Sequence, residues 1–275
     1  MLRFSVLISV YINTTRDDLV LSLTSLITQI RLADEIIIVE DGPLQAEVTA
    51  TLDEYSSKLP IVRVQNPKNR GLGLALRDGI THCTHELVAR VDSDDRCLPN
   101  RFLFQTEFMS RRDDISILGG AMRENFKVGR KTRSALRPGY STEKLEKTGL
   151  LYRNPLNHPT VMFRKSAVLA VGNYEHCPFF EDFFLWQKII SAGHKIANIS
   201  DILVETDVNL DYFRRRGGPK YAKYEIDLCK KLRQKGYFSA FNSIVFLMMR
   251  LPFRIMPGPI RQLLYFYFLR KQTSC

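Results

Sequence analysis

The run Leu87-Val-Ala-Arg-Val-Asp-Ser-Asp-Asp95 ends a short, Val-rich segment in three carboxylates, Asp92, Asp94 and Asp95. A run this short, β-branched and bounded by polar residues reads as a buried central strand. Ionised carboxylates at the mouth of a core are costly unless something positive meets them. In open α/β sheets that mouth, at the carboxyl end of a strand, is also where ligands bind. Asp-x-Asp supplies hard oxygen ligands suited to Mg2+ or Mn2+, which in turn suit phosphate oxygens. The plainer alternative is a solvated turn capping a helix just before Pro99.

Upstream of this run the chain alternates strand and helix. A first strand begins at Phe4, a helical pattern covers 17–30, and Glu35-Ile-Ile-Ile-Val39 is a second buried strand stopped by Glu40-Asp41-Gly42-Pro43. A helix over 45–57, a strand at 61–64 and a helix from Gly71 to about 81 complete the series. Units of this size predict an α/β fold, a parallel sheet covered by helices on both faces. Beyond Asp95 the pattern predicts a helix over 100–110 and a strand at 116–121. The Arg- and Lys-rich segment 123–137 reads as a mobile loop. A strand at 160–163 and helices over 166–171 and 183–192 follow, with closing strands at 195–199 and 202–206.

Charge divides the chain at the end of that series. The net charge is +11, yet residues 212–275 hold 14 Lys and Arg against only Glu225 and Asp227. The preceding 211 residues are close to neutral. We therefore expect two parts, a nucleotide-binding domain over 1–211 and a basic, aromatic-rich helical tail over 212–275. Such asymmetry marks a chain that leans on an anionic surface, nucleic acid or the inner leaflet of a membrane. In the tail, 220–235 reads as a basic amphipathic helix. Segments 237–251 and 260–269 are aromatic and aliphatic, with Arg250, Arg254, Arg261 and Arg270 interspersed, a pattern that fits helices lying in a membrane interface. No apolar run approaches the 18 or so residues a spanning helix needs. Five cysteines, with no CxxC pair, argue for a reducing compartment and against a disulfide framework or a zinc site. The N-terminal apolar run has no cleavage signature, so a cytoplasmic location is expected.

Four chain-end features converge on one edge of such a sheet. Val10 and Tyr11 end the first strand, Glu40-Asp41 ends the second, Asn69-Arg70-Gly71 follows the third, and Asp92-Ser93-Asp94 ends the fourth. Asp41 can accept hydrogen bonds from a base or ribose, or simply cap the turn after it. Arg70 sets a fixed cation beside a helix N-terminus, which suits a diphosphate. Gly71 and Gly73 form neither a dinucleotide fingerprint nor a phosphate loop, which weakens kinase, ATPase and dehydrogenase readings.

The series FSVLISVYI, EIIIVEDGP, NRGLGLALRDGI, LVARVDSDDRCLPNR and FFEDFFLW, over roughly residues 4–215, resembles the family-2 glycosyltransferases of the GT-A fold. The likeness is strongest to bacterial enzymes that build O-antigen and exopolysaccharide repeats. It implies inverting transfer of a hexose, galactose or glucose, from a UDP-sugar to a polyprenyl-diphosphate-linked saccharide acceptor, with a β-linkage formed. It further implies that Asp41 and Tyr11 line the base pocket, that Arg70 and Gly71 form the turn beside the nucleotide, and that Asp92 lies near ribose and metal. Asp94 matches the direct ligand of Mn2+ or Mg2+, and Asp95 is a helix cap or a supporting carboxylate.

Asp182 matches the catalytic base, with Glu181 the alternative. Among Phe179, Phe180, Phe183, Phe184 and Trp186, desolvation should raise such a carboxyl towards useful basicity. The competing role is to place negative charge at a helix N-terminus. His158 resembles a position near the acceptor, or is a structural His at a turn. Arg214 to Arg216 either close over the diphosphate or are a solvated charge run. Lipid-linked acceptor and basic tail together point to the cytoplasmic membrane surface through residues 220–270. A nucleic-acid partner is not expected, because the carboxylate cluster would repel phosphate without a metal. A nucleotidyltransferase shares sheet and metal and differs in its released product.

Overall fold

A computed structural model of the chain describes residues 2–128, 131–139, 153–208, 216–256 and 271–272. The expected alternation is present as β1 (Phe4–Val10), α1 (Arg16–Ile27), β2 (Glu35–Asp41), α2 (Ala46–Ser56), β3 (Ile61–Asn66), α3 (Leu72–His82) and β4 (Leu87–Asp92). Strands β4, β1, β2 and β3 lie side by side in that order, all parallel. Alternate side chains of each strand serve opposite faces. Phe4, Val6, Ile8, Ile36 and Ile38 join one core with Leu19, Leu23 and Leu52. Leu7, Ile37 and Val39 join the other with Ala75, Leu76 and Ile80. Helices on both faces thus account for near-continuous apolar strands.

Parallel pairing brings the carboxyl ends to one edge: Ser9 pairs with Asp92, Val10 with Glu40 and Asp41 with Asn66. The turn after β2 needs glycine at 42, where φ is +91° and a Cβ would lie 2.6 Å from the backbone nitrogen of Asn69. That close approach seats the turn carrying Asn69, Arg70 and Gly71 directly against the end of β2.

The second half adds β5 (Asp95–Cys97), α4 (Arg101–Arg111), β6 (Ile115–Val128), β7 (Lys131–Arg137), a 3-10 turn (His158–Thr160), β8 (Met162–Arg164), α5 (Lys165–Ala170), α6 (Glu181–Ser191) and β9 (Lys195–Val208). Here the sheet becomes mixed. β8 runs antiparallel between β4 and β6, and β9 pairs with both β5 and β6.

Three expectations change. Segment 123–137 is a β-hairpin rather than a mobile loop, because neighbouring strands match its charges. Glu124 is buried 3.6 Å from Arg137, and Arg123 pairs with Glu205 of β9. The two closing strands are one continuous strand, β9, whose pairing with β6 carries register shifts at Gly119–Met122. Asp95 begins a strand and caps no helix.

After residue 208 come α7 (Pro219–Gln234), α8 (Ala240–Ile255) and β10 (Lys271–Gln272). The expected boundary at 211/212 lies outside the described residues, as does the segment 260–269. Helices α7 and α8 share a core with the start of α6, through Phe180, Phe183, Phe184, Tyr221, Leu228, Leu232 and Phe246. Arg250 and Arg254 do not line a free polar face: both bind Glu225, which is wholly buried, at 2.5 and 3.0 Å. Among the described residues no helix is long and apolar enough to cross a membrane.

Candidate active site

Asp92 ends β4 with its side chain partly open to solvent, and Arg90 of the same strand lies sealed beneath it. Residues two apart on a strand share a face, so the two terminal nitrogens of Arg90 reach both carboxylate oxygens of Asp92. The Ser22 hydroxyl of α1 donates to the Asp92 backbone carbonyl at 3.0 Å. Ser93 is half-buried and Asp94 stands at the surface of the same turn. Protein crowds the Asp94 carboxyl even so; that desolvation, followed by repulsion from Asp92, pushes its pKa up to about 6. Asp95 is fully enclosed and is raised further, first by burial and then by Asp92 and Asp94, while a hydrogen bond from Thr206 opposes the rise.

Asp92 and Asp94 fit a hard divalent cation of the kind that takes one or two carboxylates and completes its shell with water and phosphate oxygens. A full protein cage is not offered, since among the described residues no three His, Cys, Asp or Glu side chains converge. Because each Asp92 oxygen already accepts from Arg90, Asp94 is the less committed of the two.

The base and diphosphate candidates surround this turn. Val10 is wholly buried and serves the core, whereas the Tyr11 ring is exposed beyond the strand end. Both oxygens of Asp41 accept backbone N–H bonds, from Arg70 at 3.0 Å and Gly71 at 2.8 Å. Its capping role is therefore realised, and it shapes the turn that carries Asn69, Arg70 and Gly71. Asn69 accepts from the Gly71 N–H at 3.2 Å. The guanidinium of Arg70 pairs with Asp78 on α3, so a diphosphate there would share it with that carboxylate. Gly71 enters α3 with a φ of +88°, outside the range side chains favour.

Glu181 and Asp182 occupy the first turn of α6, beside the start of α3. A Cβ on Gly73 would lie 3.1 Å from the Glu181 Cβ and 2.7 Å from the Glu175 carbonyl oxygen, so α3 passes close against the start of α6 and the loop before it. Desolvation, then Asp182, raises the Glu181 carboxyl to about 7. Burial raises Asp182 as well, opposed by the Phe183 N–H, the Asn154 side-chain amide and the positive fields of Arg216 and Arg90. Arg216 thus acts on Asp182 through its charge; Arg214 lies outside the described residues. The residue two before the pair, Phe179, has a φ of +67°, rare for a bulky side chain, and its ring rests on Tyr221 and Tyr224 of α7 with centroids 5.1 and 5.6 Å away.

His158 lies below the site instead of lining it. It is buried, with Nε2 2.8 Å from the Tyr174 hydroxyl and its ring edge-on to Trp186. Burial, and after it Arg90, depresses its pKa well below the usual imidazole range, so it is neutral. Asn154, Tyr174 and Arg90 escape a reading by motif. Arg90 alone carried a signal, as the one charged residue inside an apolar strand run; Asn154 sits in a segment without pattern.

The family model described as glycosyl transferase family 2 matches residues 5–170. The amylovoran biosynthesis glycosyltransferase AmsE of Erwinia amylovora is 36% identical over 265 residues, covering 95% of this chain and 97% of that one. The UDP-Gal:alpha-D-GlcNAc-diphosphoundecaprenol beta-1,3-galactosyltransferase of Escherichia coli is 32% identical over 269 residues, 98% of this chain and 97% of its own. Among solved structures, the mannosyltransferase PcManGT from Pyrobaculum calidifontis, in complex with GDP-Man and Mn2+, superposes with a TM-score of 0.67. It is 12% identical, with 100% of this chain and 76% of that one covered. S. aureus TarS 1-349 in complex with UDP-GlcNAc gives 0.62 at 17% identity, over 84% and 66%. At these identities the structural likeness shows the fold alone, which is that of the GT-A glycosyltransferases.

Proposed function

Since this chain belongs to glycosyl transferase family 2, and is a glycosyltransferase, we propose that it moves a hexose from a UDP-sugar onto a hydroxyl of a polyprenyl-diphosphate-linked saccharide during assembly of a bacterial polysaccharide repeat. The observation that carries this reading is the meeting of two carboxylate groups, Asp92–Asp94 and Glu181–Asp182, around the buried Arg90 at the carboxyl edge of a parallel sheet. The first group faces a donor and the second an acceptor. The relatives that build amylovoran and that use a diphosphoundecaprenol-linked acceptor support the acceptor class.

In this reading the Tyr11 ring stacks on the uracil, and the Asp41-braced turn at Asn69–Gly71 flanks the nucleotide. Asp94, with Asp92, holds Mn2+ or Mg2+, which would neutralise charge growing on the departing diphosphate. Asp182, held by Asn154 and the Phe183 N–H, takes the proton of the acceptor hydroxyl as that oxygen attacks the anomeric carbon from the face opposite the leaving group. Inversion follows, and an α-linked donor yields a β-linkage. Glu181, whose carboxyl is raised to about 7, shares the same protons and is the second candidate base.

The acceptor's lipid sets the expected location at the cytoplasmic membrane face. Helix α8 supports it in a way the sequence did not specify. Its arginines turn inward to Glu225, and an apolar face remains, with Phe241 and Met248 each 71% exposed and Ile244 and Ile255 alongside. Apolar insertion, with the lysines of α7 nearby, fits an interfacial helix.

Screening UDP-sugars with Mn2+ against a synthetic sugar-diphosphate-lipid tests the proposal. Release of UDP with glycosylated lipid is expected. Lipid left unmodified, with no UDP released from any UDP-sugar, would overturn the donor and acceptor classes proposed.

A further inference from the structure

The acids after β4 and those at the head of α6 lie within the influence of one buried cation. Arg90 is only 2% exposed, and it binds Asp92 through both terminal nitrogens. Its positive field also opposes the pKa rise of Asp94, Asp95, Glu181 and Asp182. A buried guanidinium is tolerated only when paired, and a forked pair fixes direction as well as charge. The backbone around it is pinned on both sides. The Arg90 N–H donates to the Val161 carbonyl at 3.0 Å, and its carbonyl accepts from Arg101, itself wholly buried, at 2.7 Å. Asp92, one end of the pair, faces outward with 29% of its side chain exposed. One partner is therefore anchored in the core and the other is presented to the site.

Resting on the proposed donor-site reading, we infer that Arg90 is a positioning residue that holds the Asp92 carboxylate in the one orientation from which it meets the nucleotide and its metal. Each Asp92 oxygen gives one lone pair to Arg90 and keeps another for a ligand, so the fork decides where the remaining lone pairs point. A lysine at this position keeps the charge and loses the fork. Arg90 touches neither substrate nor reacting atoms, and its influence on binding runs through Asp92.

A double-mutant cycle on UDP affinity in the presence of Mn2+, read by calorimetry, tests this, with Mn2+ binding alone followed by electron paramagnetic resonance as a second readout. Arg90→Lys and Asp92→Asn are each expected to weaken UDP binding by about tenfold or more. The double variant is expected to be no weaker than Asp92→Asn by itself, because Arg90 has nothing left to position. Losses that multiply, or unchanged affinity in Arg90→Lys, overturn the inference. Should Arg90→Lys fail to fold, Asp92→Glu carries the test. It retains the charge pair and lengthens the arm, so at least a tenfold loss is expected with the melting temperature kept, and unchanged affinity overturns the assignment. Wild-type protein that binds no UDP with Mn2+ refutes the functional reading, and this inference with it; wild-type binding with an unaltered Arg90→Lys refutes the inference only.

Discussion

Glu181→Gln is expected to stabilise the protein, and chiefly at high pH. Its carboxyl rises from 4.5 to about 7 on folding because burial and Asp182 disfavour the charge. The folded state therefore holds this proton more tightly than the unfolded chain does. Below pH 4.5 the group is protonated in both states and costs nothing. As pH climbs from 4.5 to 7 the unfolded chain ionises while the folded state keeps its proton, so the cost grows, and above that range the whole penalty is present. Each tenfold gain in proton affinity on folding corresponds to about 1.4 kcal/mol; with Asp182 sharing the effect, a penalty of about 2–3 kcal/mol is reasonable. A chain of this size moves by about 2 °C per kcal/mol, so Glu181→Gln should melt about 4–6 °C higher than wild type at pH 8.5. At pH 5 the gap should narrow to about 1–2 °C. Differential scanning calorimetry of both proteins from pH 5 to 9 supplies the comparison. A Tm difference that stays constant across that range, or a variant less stable at pH 8.5, would refute the argument that a desolvated acid pair sits at the head of α6.

Three further outcomes follow from the same geometry. The rate of transfer should rise with pH and then level, since a base works only deprotonated and burial raises Asp182 above its ordinary value and Glu181 to about 7; a flat profile from pH 5.5 to 8 contradicts this. Asp94→Asn should abolish most Mn2+-dependent UDP binding while leaving the protein at least as stable as wild type at pH 8, because folding disfavours the Asp94 charge. Phe241→Ser with Met248→Ser should weaken sedimentation with phosphatidylglycerol vesicles by about tenfold or more, given about 1–2 kcal/mol for each apolar side chain withdrawn from the interface. Equal binding of wild type and double variant would remove α8 from the membrane contact.

Much of this was legible in the chain because local pattern and final environment agree. The β1, β2 and β4 runs are largely apolar because both faces are covered, and their polar ends coincide because parallel strands share one edge. The acid pairs were legible for the same reason, standing at element ends. What pattern could not give depended on contacts between distant segments. The segment 123–137 reads as a mobile loop until Glu205 is set against Arg123 and Glu124 against Arg137. Arg250 and Arg254 read as interfacial until Glu225, some 25 residues away, is found to turn them inward. His158 had two readings at a turn, and the Tyr174 hydroxyl and Trp186 ring, from other parts of the chain, assign it to the core.

The central claim is that the carboxylates of α6 act on the acceptor while those after β4 hold the donor. Asp182→Asn separates the two most directly, through single-turnover transfer measured beside UDP affinity on the same protein. The division of labour predicts a fall in turnover of about 10² or more with UDP binding nearly unchanged. Undiminished turnover, or a loss of UDP affinity in proportion to the loss of rate, would contradict it.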